Sequence, residues 1–213
     1  MKRTSDVLLN ALIVFVHEKL GLAPNAISVI GLALGLAAAA AVVAGSLGTS
    51  MILLAVSQIV DGLDGGVARR YTLQSKGGKL IEAVVDRSCE IAFFLALVFA
   101  GLASLKIALL AAGAILLVSA VEPYSGFDPG FKRFMMYFGY ALYAGFGLEG
   151  FEIALQVVFF ANLAGFAAGT VMADYPFQAR IGAGAIIRRD YEIAAGIPRK
   201  ADDPPSFLSK LFS

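Results

Sequence analysis

The stretch Asp61-Gly62-Leu63-Asp64-Gly65-Gly66-Val67-Ala68-Arg69, followed by Gly78, Glu82 and Asp86, decides how this chain is read. It sets four carboxylates at helical spacing between two long apolar segments. An acid close to lipid costs at least a few kcal/mol unless it is paired, hydrated or metal-bound, so it marks a functional site by default. Four acids aimed at one another repel unless something cationic lies between them. A divalent metal is the simplest such cation.

The rest of the sequence agrees with a membrane setting. The chain has 213 residues, of which 59% are hydrophobic and 15% charged, against about 25% charged in ordinary soluble domains. A net charge of +1, with no basic stretch interleaved with aromatics, leaves no nucleic-acid reading. Cys89 is the single cysteine, so no disulfide forms within one chain. With His17 as the single histidine, a zinc site of the usual His/Cys kind within one subunit is excluded as well. Tryptophan is absent, so any aromatic belt comes from Tyr and Phe.

The expected fold is all-α, an integral membrane bundle of six transmembrane helices with an N-terminal juxtamembrane amphipathic helix. Residues 1–23 form that surface helix, because Val7, Leu8, Ala11, Leu12 and Phe15 recur at helical spacing. Asp6 and Asn10 interrupt the segment, and no small-residue cleavage site follows it, so it is not read as a signal peptide. Residues 24–173 form the six-helix catalytic domain, and residues 174–213 a cytoplasmic tail. Pro24 suits the first turn of span one, which runs over 26–47. Within it, Gly31 and Gly35 make a close-packing face. Gly48-Thr49-Ser50 reads as a turn. Spans two to four are expected over 51–67, 78–102 and 103–121. A loop over 122–133, punctuated by Pro123, Gly126, Pro129 and Gly130, precedes spans five and six at 134–148 and 151–173.

Charge sets the orientation. With six spans and both termini inside, 16 of the 17 basic residues face the cytoplasm, and Lys106 alone falls outside. The turn between the last two spans carries Glu149 and Glu152 instead. This predicts a multi-pass protein of the cell membrane with termini and acidic cluster on the cytoplasmic side.

Asp61 and Asp64, three apart on one helix, project about 60° from each other and ~4.5 Å along the axis. Glu82 and Asp86 are four apart on the next helix, and a short loop makes the two helices antiparallel neighbours. The carboxylates Asp61, Asp64, Glu82 and Asp86 are therefore the candidate metal ligands. Hard oxygens on two helices suit Mg²⁺ or Mn²⁺, as a pair of ions about 4 Å apart that would hold a diphosphate. Gly65, Gly66, Ala68 and Gly78 leave room for a bulky polar ligand, and Arg69 is placed to meet phosphate oxygens.

This run resembles the signature of the CDP-alcohol phosphotransferase family, D-x2-D-G-x2-A-R-x8-G-x3-D-x3-D. Asp61, Asp64, Gly65, Ala68, Arg69, Gly78 and Asp86 match, seven of eight positions in a 26-residue window. The departure is Glu82, where the family has its third aspartate. It is a hard oxygen ligand one methylene longer, and this could cost rate or alter metal preference. The resemblance implies a six-helix membrane fold, a homodimer, and transfer of a phosphoalcohol group from a CDP-alcohol to an acceptor hydroxyl with release of CMP. It implies a two-metal site on the four acids, Asp86 doubling as the catalytic base, and CDP-alcohol binding by Asp61, Gly65, Ala68, Arg69 and Gly78.

Other residues have plainer readings. Lys132 and Arg133 are either headgroup anchors or an anion pocket for a phosphorylated acceptor. Arg87 is a structural partner for a neighbouring acid, Glu90 a hydrogen-bonded or paired group inside the bundle, and Cys89 a packed thiol. Two other functions are compatible with the same acids: a non-catalytic family relative, or an ion or metal transporter. No internal repeat of the kind common in transporters is found.

Overall fold

A computed structural model of the chain describes residues 10–73 and 76–174. The N-terminal segment enters as a short helix α1 (Asn10–Val14) and a widened π-type turn at Phe15–Lys19. Six long helices follow: α2 (Pro24–Val43), α3 (Leu47–Arg70), α4 (Lys76–Phe99), α5 (Leu105–Ser125), α6 (Lys132–Phe146) and α7 (Gly150–Asp174). No strand occurs among the described residues. Val7 and Leu8, and the tail beyond Asp174, lie outside them.

Among the described residues, four helices are long and apolar enough to cross a bilayer: α2 over Pro24–Val43, α3 over Leu47–Arg70, α5 over Leu105–Glu122 and α7 over Gly150–Val171. The other two expected spans do not meet that standard. Six charged residues, from Lys76 to Glu90, lie in the N-terminal 15 of the 24 residues of α4. Helix α6 has 15 residues, about 22 Å of rise against a hydrocarbon core of about 30 Å. Large apolar side chains face outward on every long helix, among them Ile52, Phe99, Phe134, Phe146 and Phe160. A lipid-facing surface has this character, and a soluble monomer rarely does.

The helix ends shift two expected boundaries. Gly48, Thr49 and Ser50 are not a turn but the first turn of α3. The chain reverses earlier, because Gly45 adopts a left-handed φ of +76°. The Gly45 and Ser46 amides then donate back to Val42 and Ala41 carbonyls, as expected of a glycine helix stop. Likewise α5 continues through Glu122 and Pro123 and stops at the left-handed Gly126, so the expected loop narrows to 126–131.

Helix α2 packs along α3 and α4, while α7 packs along α5 and α6. Two serines on α3 tie it to α2 by donating to main-chain carbonyls, Ser50 to Ala38 at 2.8 Å and Ser57 to Gly31 at 2.9 Å. Between helices in lipid, such hydrogen bonds and close backbone approach replace the hydrophobic drive. Ala38, Val42, Phe93, Leu97, Ile115 and Phe151 belong to the large central core. A smaller one joins Ile13 to Ile27, Leu63 and Val67, docking the N-terminal segment on the end of α3. There His17 Nδ1 donates to the Leu22 carbonyl and its ring lies 4.1 Å from that of Tyr71. Leu12 and Phe15 stay exposed, as the expected amphipathic face requires.

Gly31 and Gly35 differ in a way the spacing does not reveal. A Cβ at Gly35 would lie 2.5 Å from Cys89 Sγ, whereas one at Gly31 would find ordinary contact at 3.7 Å. Gly35→Ala should therefore lower the thermal midpoint in detergent by the equivalent of about 1–3 kcal/mol. Gly31→Ala should be neutral or stabilising, since alanine is the better helix former by about 1 kcal/mol. Cys89→Ala should partly rescue Gly35→Ala, and equal effects of the two glycine substitutions would contradict this packing.

Candidate active site

The acidic ends of α3 and α4 stand across a space from each other and do not pack directly together. Arg70 is the last residue of α3, and the turn leaves it through Thr72 at a left-handed φ of 57°, with the Leu73 amide donating to the Ala68 carbonyl. Beside this turn lies a cavity of about 480 Å³, within the usual range for small-molecule sites. From α3 it is lined by Asp64, Gly65, Ala68 and Arg69, and from α4 by Gly78, Glu82, Asp86 and Arg87. Pro24, Asn25 and Ser28 at the start of α2 form a third wall, and Glu122 and Asp128 close the far side.

Asp64 is the most buried of the four acids, 3% exposed. Ser28 donates its hydroxyl to Asp64 Oδ2, and the Gly65 amide donates to Oδ1. Glu82 is exposed along the cavity. The Arg69 side chain lies against Gly65, where a Cβ would come within 2.9 Å of its Nη1. Gly65 thus gives the arginine its place over the helix face.

Asp61 and Asp86 share a different partner. Arg133, from the first turn of α6, donates from Nη1 to Asp61 Oδ2 at 3.3 Å and from Nη2 to Asp86 Oδ1. Asp61 does not line the large cavity, and neither do Lys132 and Arg133. Lys132, 3% exposed, turns to Asp128, its Nζ 2.7 Å from Oδ1. Arg87 pairs with Glu90 at 2.6 Å and reaches Asp128 at 3.5 Å. The expected structural roles of Arg87 and Glu90 are both met.

Seven of the sequence-predicted residues, Asp64, Gly65, Ala68, Arg69, Gly78, Glu82 and Asp86, therefore come together around one space. Lys132 and Arg133 spend their charge on carboxylates of this chain. Ser28 and Asp128 were missed. Ser28 stands one turn after Pro24, and Asp128 precedes Lys132 by four, but neither spacing is distinctive.

As a metal site, the donor set fits in chemistry: four carboxylates supply the hard oxygens that Mg²⁺ and Mn²⁺ prefer. Its present spacing is another matter. Among the described residues, no three carboxylates converge closely enough to hold an ion, and a guanidinium bridges two of the four.

An α-helical membrane protein with a carboxylate-lined cavity at the meeting of two helix ends is thus the class that fold and site define. The sequence model of the CDP-alcohol phosphatidyltransferase family matches residues 21–158, and the chain belongs to that family. No curated protein and no solved structure matches the chain. Membership connects the protein to phosphatidyl transfer from a CDP-alcohol in lipid biosynthesis.

Asp128 provides a test of the cavity's far wall. Burial works to raise its carboxyl, but the Lys132 hydrogen bond and charge, the Gly130 amide and Arg87 outweigh it and hold Asp128 below the usual aspartate range. A depressed folded-state value means the contribution is present above the unfolded value near 3.9 and lost as pH falls through the folded one. Asp128→Asn should lower stability at pH 7 by about 3 kcal/mol, because Lys132 is left buried and unpaired. It should also flatten the acid limb below about pH 4 in unfolding measured in detergent.

Proposed function

We propose that this protein is a membrane phosphotransferase of phospholipid biosynthesis. It moves a phosphoalcohol group, phosphatidyl or archaetidyl, from a CDP-alcohol to an acceptor hydroxyl and releases CMP. The observation that carries this reading is the gathering of Asp64, Gly65, Ala68, Arg69, Gly78, Glu82 and Asp86 around one cavity in a chain of this family. The same reading takes α4 and α6 as the two remaining spans, puts both termini and the cavity on the cytoplasmic side of the cell membrane, and has the chain act as a homodimer. The distribution of basic residues in the sequence supports that orientation.

In this reading the cytidine diphosphate lies between the α3 and α4 walls, where Gly65 and Ala68 on α3 and Gly78 on α4 leave room, and Arg69 meets phosphate oxygens with a forked donor. Asp61, Asp64, Glu82 and Asp86 would hold two divalent cations, Mg²⁺ or Mn²⁺. When bound, these neutralise diphosphate charge and acidify a hydroxyl nearby. Asp86 Oδ takes the proton of the acceptor hydroxyl. The acceptor oxygen bonds to the phosphorus carrying the alcohol, the bridging P–O bond breaks, and CMP leaves with the electron pair. Ser28 and the Gly65 amide hold the Asp64 carboxylate in orientation. Lys132 and Arg133, the candidate partners for an acceptor bearing phosphate, are held by Asp128 and by Asp61 and Asp86, so an acceptor phosphate would have to displace those carboxylates to reach them.

The decisive assay presents CDP-diacylglycerol and a panel of polar alcohols to the protein in proteoliposomes with Mg²⁺ or Mn²⁺, and reads CMP. Asp86→Asn should cut turnover by about 10²–10⁴-fold, the usual contribution of a positioned base, without loss of the folded species on gel filtration. Glu82→Asp should retain turnover and Glu82→Gln should lose it. Nucleotide binding with no CMP release from any acceptor would favour a non-catalytic relative. Metal flux without CMP chemistry would favour transport.

A further inference from the structure

We propose that Arg133 is a built-in counter-ion that holds Asp61 and Asp86 while no metal is bound, and that must withdraw before a divalent cation can use these carboxylates. The inference rests on the metal reading above and adds a competitor to it that comes from the chain itself.

The geometry is that of a bridge between helices. One guanidinium uses two nitrogens on two carboxylates, Asp61 on α3 and Asp86 on α4, from a third helix. Arg133 is 12% exposed in its side chain, and its two acids are 29% and 25% exposed, so water screens the bridge only in part. A divalent cation on the same oxygens would meet the guanidinium within a few ångströms, and like charges at that range repel strongly. Occupation of Asp61 and Asp86 by arginine and by metal is therefore mutually exclusive.

Helix α6 is carried mainly by α7 and touches α3 sparsely. One turn beyond Arg133, Tyr137 donates to Gln58 Oε1 at 2.9 Å, a contact with α3 that does not involve the acids. Lys132 stays on Asp128 and is not free to replace its neighbour. Arg133 also borders a small void of about 10 Å³ together with the buried Glu90. Glu90 already holds Arg87 at 2.6 Å, so a guanidinium withdrawn to that side would join an existing pair.

The test titrates Mn²⁺ alone into the full chain in nanodiscs and reads free Mn²⁺ by electron paramagnetic resonance. Arg133→Gln should bind Mn²⁺ with an apparent Kd at least tenfold below that of the unsubstituted protein. Arg133→Lys should fall between them, because an ammonium cannot fork across two carboxylates. In EDTA, Arg133→Gln should melt at a lower temperature than the unsubstituted protein, and saturating Mn²⁺ should close that gap. Unchanged affinity in both variants, or weaker binding, would overturn the counter-ion while leaving the metal site standing. No Mn²⁺ binding by any of the three proteins would overturn the metal reading and the counter-ion with it. Should Arg133→Gln fail to fold, Arg133→Lys decides by the same criterion.

Discussion

A carboxylate that cannot be left alone in a low-dielectric bundle is the constraint on which this structure depends. Isolated, Asp61, Asp64 and Asp86 would each face a desolvation cost that no side-chain packing offsets. Each has found a donor from a distant part of the chain: Ser28 of α2 for Asp64, and Arg133 of α6 for both Asp61 and Asp86. The demands of three acids on α3 and α4 thus place the start of α2 and the start of α6. The apolar packing of α2 on α3 and of α6 on α7 brings the backbones close, but the ionic and hydrogen-bonded contacts set which ends meet.

How much of this could be read from the sequence follows the range of each interaction. Membrane class, the N-terminal proline of α2 and the long apolar helices are local properties, and periodicity exposes them. The end of α2 is hard to place because Gly45, Ser46, Gly48, Thr49 and Ser50 all look like turn formers. Only the left-handed backbone at Gly45 distinguishes the true stop. The end of α5 was placed too early because Pro123 reads as a breaker, although it stands near the last turn, which Gly126 closes. Hydrophobic runs suggest six spans, yet among the described residues four helices meet the length and apolarity of a crossing. In α4 the charges that build the site are the same ones that dilute its hydropathy.

The site was legible to the extent that it lies on helix faces. Asp61 and Asp64, and Glu82 and Asp86, are set by turns of 3.6 residues, so their grouping needs no tertiary information. The partners were not legible, because 72 residues separate Arg133 from Asp61, and 47 separate it from Asp86. The sequence made Arg133 a candidate for binding an incoming anion. In the folded chain its charge is committed to two carboxylates, and its neighbour Lys132 is committed to Asp128. Of two adjacent cations on one helix turn, Lys132 is locked by a buried pair, and Arg133 spans two helices in a place where a stronger cation would compete.

Charge balance around the cavity gives that competition a direction. Asp64, Glu82, Asp86, Glu122 and Asp128 line it together with Arg69 and Arg87, and Asp61, Glu90, Lys132 and Arg133 join them through ion pairs beside it. Seven carboxylates against four cationic groups leave a negative excess of three in a partly buried region. Protonation would relieve it, but at the cost of the oxygens' capacity as ligands and bases. Water relieves it only at Glu82 and along the open side of the cavity. Divalent cations relieve it without altering a single carboxylate, and a bound diphosphate then restores balance from the other side. On this argument the arginine bridge is the resting compensation of a site that stays over-supplied with negative charge, and donor and metal would enter most readily together.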